Sequence, residues 1–200
     1  MKRNLSSVIT FALVLLLAGC GPASSLFPLF ITGDKEFDER LLGEWRIQGD
    51  STFKPGVESG RIVFRKSAEG TDYEVTIFDF DGKGMNVALT GRMVRLGNFS
   101  FIDFGTADAD KREFSEIPFP ALESHFFGRI HMEKGGVRID FLNEDWVKEK
   151  AKAGKLTLAT VQTPNGLVIS ATTEELRKFA LEHADDTDAF SEPYSLSRTK

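Results

Sequence analysis

The feature that most restricts the fold of this chain is a two-residue rhythm of apolar and polar side chains, repeated between turn signals along its middle. Tyr73, Val75 and Ile77 stand opposite Glu74 and Thr76 within 72–80, and Ile62 and Phe64 share one face of 61–66. Met85, Val87 and Leu89 share a face of the next segment. Phe126, Ile130 and Met132 alternate with His125, Arg129, His131 and Glu133, and Val137, Ile139 and Phe141 follow in the same rhythm. Successive side chains of a strand point to opposite faces, so this is the period of half-buried β-strands.

The punctuation agrees. Asp81-Gly82, Gly97-Asn98, Lys134-Gly135-Gly136 and Thr163-Pro164-Asn165-Gly166 are turn sequences between apolar runs. Phe99 to Phe104 is a short, nearly continuous apolar strand, and 105–120 is a loop rich in acid and proline. Val94 and Leu96 have the opposite parity to Leu89, with Gly91 between them, which predicts a β-bulge or sharp bend at Gly91. Asp34 to Leu42 reads as a turn or two of helix. Asn143, with Glu144 and Asp145 behind it, caps a short helix that Gly154 ends. Strands over Leu156–Gln162 and Leu167–Thr172 follow. Thr172-x-x-Glu175 is a capping box, and Leu176, Phe179, Ala180 and His183 make the stripe of a C-terminal helix.

The fold class is therefore mainly β, with eight or nine antiparallel strands, a short helix before the last two and a C-terminal helix. A closed barrel removes exposed edges and suits this pattern; a sandwich stays open, because periodicity does not report closure. With 41% apolar and 28% charged residues the chain is not a disordered one. A net charge of −5, with no Lys/Arg stretch to offset it, excludes nucleic acid as a partner.

The N-terminus carries an address. Met1-Lys2-Arg3-Asn4 is a basic start, and Val8 to Ala18 is an apolar run. As a helix that run spans roughly 16 Å, about half a bilayer core, so it fits a signal-peptide core and not a membrane span. Leu17-Ala18-Gly19-Cys20 resembles the bacterial lipobox. The resemblance implies cleavage before Cys20, diacylglyceryl transfer to its sulfur and N-acylation of the new terminus, palmitate-type chains included. The partner so implied is the membrane, reached through the N-terminal lipid anchor. Gly21 stands where an Asp commonly retains a lipoprotein at the inner membrane, which leans the location in the envelope toward the outer membrane. The only Cys is spent on the anchor, so no internal disulfide is expected and packing must hold the fold. The division expected is 1–19 signal peptide, 20–33 lipidated N-terminus and tether, 34–184 barrel domain with C-terminal helix, and 185–200 acidic flexible tail. Leu26 to Ile31, interrupted by Pro28, is expected to cover the barrel end, with contact to the membrane as the alternative.

Gly43-Glu44-Trp45, with Phe37-Asp38 upstream, resembles the G-x-W kernel of lipocalins and their calycin relatives. The resemblance implies a calycin-like barrel in which Trp45 closes one end and packs beneath an Arg from a late segment, left unassigned here. Leu41-Leu42-Gly43-Glu44-Trp45, Asp145-Trp146 and Thr172 to Leu176 together are similar to lipocalin-like bacterial lipoproteins, a resemblance that implies no particular activity.

Chemistry is sparse. His125 and His131 lie six residues apart on one strand face, roughly 20 Å, too far to share a metal, and read as solvated. His183 falls in the last turn of a helix. The Asp79–Gly84 stretch resembles a calcium loop but has Lys83 at its fifth position. Asp108, Asp110 and Glu113 read as a solvated loop, and Asp185, Asp186 and Asp188 as solubilisers of the tail. No nucleophile motif or phosphate loop is present, so no enzyme activity, metal or cofactor is expected. What remains is 18 Phe among 22 aromatic residues. Trp45, Phe64, Tyr73, Val75, Phe101, Phe126, Ile130 and Phe141, with Val87 and Ile139, are candidates for the barrel interior, either as a solid core or as a cavity. Phe127, out of phase on the polar face, is a candidate contact patch. The leading expectation is a non-catalytic interaction or structural module that docks another envelope protein. The alternative is a lipocalin-like binder of a small apolar molecule or lipid, and a hydrolase ranks third.

Overall fold

The computed structural model describes residues 22–34, 36–48, 60–78, 86–106, 124–164 and 166–199, and of Glu192 the backbone alone. Several expectations lie outside the described residues: the signal segment and Cys20, the Asp81-Gly82 hairpin with Met85 and the Asp79–Gly84 stretch, and the acids at 108, 110 and 113.

The alternating segments form strands where expected. After a two-residue strand β1 (Ser24–Ser25) and a 3-10 turn (Glu39–Leu41) come β2 (Gly43–Gln48), β3 (Arg61–Lys66), β4 (Tyr73–Phe78), β5 (Val87–Leu96), β6 (Phe99–Thr106), β7 (His125–Glu133) and β8 (Gly136–Leu142). Helix α1 (Glu144–Lys152), the hairpin β9 (Thr160–Thr163) and β10 (Gly166–Ile169), helix α2 (Thr173–Glu182) and β11 (Phe190–Arg198) complete the chain. Each of β2 to β8 pairs antiparallel with its predecessor, and β11 pairs with both β8 and β2. The result is a closed antiparallel barrel of eight strands, β2 to β8 and β11.

Two corrections concern which strands close it. The hairpin β9–β10 lies outside the barrel, joined to β7 only through β1. The eighth barrel strand is β11, inside the stretch read as a flexible tail. The acids there build the turn that launches it: the Asp186 carboxylate accepts the N–H groups of Asp188 and Ala189 at 2.9 and 3.1 Å. The register then shifts between Phe190 and Pro193. That irregularity lets Phe190 face outward while Tyr194 and Leu196 face the interior, although Phe190 and Tyr194 share a parity.

The molecule has two apolar cores. One fills the barrel and includes Trp45, Ile47, Phe64, Tyr73, Val75, Met93, Ile102, Phe104, Ile130, Ile139 and Leu196. The other lies on the outer wall, where Val94, Leu96, Phe101, Phe127 and Leu142 meet Trp146 and Val147 of α1 and Leu176, Phe179 and Ala180 of α2. Helix caps set this second layer. The Asn143 side chain accepts from Asp145 and Trp146 N–H groups, Gly154 (φ +65°) follows α1, and the Thr172–Glu175 capping box opens α2.

The outer core overturns three readings. β5 runs in regular register through Gly91 against both neighbours, so no bulge is needed there; Val94 and Leu96 are apolar on the other parity because that face is also covered. Phe101 does not line the interior but packs outside against Phe190, at 5.7 Å between ring centroids, and Ile102 and Phe104 take the inner positions. Phe127 is fully buried beneath the second layer and is no surface patch.

Residues 22–33 are not a tether from Pro22 onward. Pro22 bridges Asn143, Ala23 donates its N–H to the Leu142 carbonyl at 2.7 Å, and β1 pairs with β7 and β10. Leu26 to Ile31 lies along the outer wall rather than over the barrel end: Leu29 is fully buried, whereas Phe27 and Ile31 are about half exposed. The segment is fixed through a buried carboxylate. Asp103 accepts the Leu29 N–H at 2.7 Å and meets His125 Nδ1 at 2.8 Å. His125, expected to be solvated, is thus 6% exposed and held in a polar pair.

Candidate functional site

One barrel end is sealed. The strand registers place Gly43, Tyr73, the β5–β6 turn, the β7–β8 turn and Arg198 at this end, and the chain from Glu36 to Leu41 crosses it. Phe37 stacks on Tyr73 at 4.6 Å, and the Tyr73 hydroxyl accepts the Asp38 N–H at 2.7 Å. Burial pushes the Tyr73 hydroxyl up to a pKa of about 12. The Arg40 guanidinium, hydrogen-bonded to Asp38, holds that carboxyl below its usual range.

Trp45 lies at the centre of the seal. Its indole N–H donates to the Leu41 carbonyl at 2.8 Å, and the Arg198 guanidinium sits 4.5 Å from the Trp45 ring centroid. Arg198 also donates to the Leu42 and Arg40 carbonyls at 3.3 and 2.6 Å, tying the last strand to the crossing segment. Gly43 suits this position because its φ is +120°, where other side chains are strained, and a Cβ there would crowd the Arg198 guanidinium at 3.0 Å. Arg198, on the last strand, is thus the residue that packs over the Trp45 ring in this barrel. The signal for it was the alternation of Tyr194 and Leu196 with Ser195 and Ser197, masked by the acids before it.

From the seal inward the side chains form a run of aromatic rings. Tyr73 meets Phe64 at 6.1 Å, Phe64 meets Phe104 at 6.5 Å, and Phe104 meets Phe126 at 5.3 Å and Phe141 at 6.0 Å. Phe141 then meets Tyr194 edge-on at 5.2 Å. Such offset and edge-to-face contacts are favourable beyond the area they bury. Burial falls along this run. Trp45, Phe64, Tyr73 and Val75 are 2% exposed or less. At the opposite end Ile77, Val87, Phe126, Phe141 and Tyr194 are only partly buried. Of the interior candidates, Trp45, Phe64, Tyr73, Val75, Val87, Phe126, Ile130, Ile139 and Phe141 do face inward, and Phe101 alone does not.

The polar groups sort to the outside of the wall. Arg129 is 8% exposed, donates to Asp140 at 3.1 Å and reaches the Ala184 carbonyl. Asp140 also meets His131 at 3.2 Å and Arg138 at 3.3 Å. Burial lowers the His131 pKa, Arg129 and Arg138 add to the shift, and Asp140 opposes it. His125 and His131 thus face different carboxylates. His183 caps α2 against the rings of Trp146 and Phe179, at 5.2 and 4.5 Å. Among the described residues no cluster of His, Cys, Asp and Glu has the geometry of a metal site, and no described helix is long and apolar enough to cross a membrane. No protein-family model matches this chain, and no curated protein or solved structure is significantly similar to it.

Proposed function

We propose that this chain is a non-catalytic binding barrel of the bacterial envelope, anchored by lipid at Cys20, that receives a small apolar molecule or lipid through the end opposite Trp45. The gradient of burial along the aromatic run carries this reading. Among the described residues, Phe126, Phe141, Tyr194, Ile77 and Val87 face inward yet are only partly buried, which suits that end to an apolar ligand. The sealed end, with Phe64 and Tyr73 buried behind Trp45 and Arg198, supplies a rigid floor.

The anchor reading rests on the lipobox-like residues before Cys20, and Gly21 favours the outer membrane. It has a mechanical consequence. Pro22 is bridged to Asn143, so one residue separates an acylated Cys20 from the sheet. Two Cα steps reach at most about 7 Å, which holds the barrel against the bilayer, where apolar ligands are found.

The test is mass spectrometry on the full chain purified natively from a bacterial host. Acyl chains on Cys20 and a co-extracted apolar molecule, absent from a Phe141→Arg variant that retains its β spectrum, are the expected result. An unacylated chain would remove the anchor, and an extract no richer than that of the variant would remove the ligand.

A further inference from the structure

The barrel wall is not zipped along its whole height. β6 and β7 pair from Gly105↔His125 to Phe101↔Arg129 and then separate, although β6 begins at Phe99 and β7 continues to Glu133 along β8. Phe99 and Ser100 stay paired with β5, so two strand edges face one another across a gap. A cleft of about 620 Å³ occupies it, lined among others by Glu36, Met93, Ser100, Arg129, His131 and Met132. Alternation puts Arg129 and His131 on the outer face of β7 and Ile130 and Met132 on the inner face. All four line the cleft, so residues of both faces of β7 contribute to it.

Three buried atoms of residues that line this cleft, Arg129 Nε, His131 Nε2 and Glu36 Oε2, have no hydrogen-bond partner among the described residues. The other nitrogens of Arg129 are taken by Asp140 and the Ala184 carbonyl, and the other oxygen of Glu36 by Arg95 at 2.7 Å. A donor and an acceptor are left, beside a His131 ring nitrogen that lies 3.2 Å from Asp140. Charge around the cleft is balanced rather than one-signed: Glu36 faces Arg95, Asp38 faces Arg40, and Asp140 faces Arg129 and Arg138. A simple anion would be repelled by Glu36 and a simple cation by Arg129. A neutral amide satisfies both, accepting from Arg129 and donating to Glu36. In an extended peptide that pair of groups repeats along the chain and also matches open strand edges.

We propose that the slot between β6 and β7 binds an extended peptide segment of a partner protein, which adds a short strand there and lays an apolar side chain on Met93, Ile130 and Met132. Methionine and isoleucine give an apolar, adaptable floor suited to such a side chain. This site is separate from the apolar end assigned to a small ligand and stands without it.

The test uses the full chain in phospholipid nanodiscs, titrated with the capped peptide acetyl-Ala-Val-Ala-Val-amide and followed through backbone amide NMR shifts. Saturable shifts at Ser100 and His131 are expected, with affinity reduced about tenfold or more when alternate peptide nitrogens are methylated and lose their donors. Ser100→Trp, which fills the slot from a partly exposed position, should abolish the shifts without changing the far-UV spectrum. Arg129→Lys, which keeps a cation for Asp140 but lacks Nε, should weaken them. No saturable shift at millimolar peptide, equal affinity for the methylated peptide, or shifts confined to Phe141 and Tyr194 would each overturn the proposal.

Discussion

The two apolar cores of this molecule are built from different kinds of sequence. The inner core comes mainly from alternating residues on consecutive strands, so neighbours in space are near-neighbours in the chain. The outer core gathers Ala23 and Leu29 from the start of the chain, Trp146 and Val147 from α1, Phe179 from α2 and Phe190 from the last strand onto one side of the wall. The lesson lies in the strands between them. Where a strand is apolar on both parities, as at Val94, Leu96 and Phe101 to Phe104, the second parity reports a second covering layer rather than a distortion of the strand.

The comparison can be broken most severely at its seam. Truncation after Asp185 removes β11 with Tyr194, Leu196 and Arg198, opens the barrel between β2 and β8 and strips Phe190 from the outer core. We expect no cooperative thermal transition from that chain. Removal of the acids alone would leave folding intact if the stretch were merely a tail.

Single deletions sharpen it further. Phe127→Ala and Phe64→Ala each remove a fully buried ring, one per core, and should each cost about 3–5 kcal/mol in denaturant unfolding. A cost below about 1 kcal/mol for Phe127→Ala would reduce the outer layer to a loose cover. Asp103→Ala leaves the Leu29 N–H and His125 Nδ1 without their shared carboxylate, and we expect about 3 kcal/mol with the N-terminal segment becoming protease-sensitive. The smallest substitution effect is at the cap of α2, where Thr172→Ala should cost about 1 kcal/mol.

A pH titration separates the sealed end from the rest. The Tyr73 hydroxyl ionises at about 12 in the folded chain, against an ordinary value of 10.0, because burial disfavours the phenolate. The unfolded chain therefore releases that proton first. The stabilisation is complete below pH 10 and is lost as pH climbs toward about 12. Tyr73→Phe should abolish this part of the alkaline decline in melting temperature, and an unchanged decline would contradict the assignment.

What could be read beforehand follows from the range of the interactions. The parity of Tyr73, Val75 and Ile77, the Asn143 cap, and the Thr172–Glu175 box depend on residues within a few positions of one another, and each is realised. The side taken by Phe101, the burial of Phe127 and the polar pairing of His125 depend on segments up to about a hundred residues away, which no local rhythm reports. β11 failed to register for another reason: the register shift at Pro193 breaks its alternation, and three aspartates precede it. Trp45 was legible from Gly43-Glu44-Trp45, whereas its partner Arg198 lay beyond that break. The gap between β6 and β7 is a property of paired edges, and neither strand shows it alone.

Hydrogen exchange on the intact chain tests the closure of the barrel most directly, because paired backbone in a sealed sheet opens only with the fold as a whole. Amides across Phe190–Arg198 should exchange nearly as slowly as those of Gly136–Leu142, the strand beside them. Exchange of that final stretch at the rate of unstructured peptide, with Gly136–Leu142 still protected, would mean that the barrel does not close through β11.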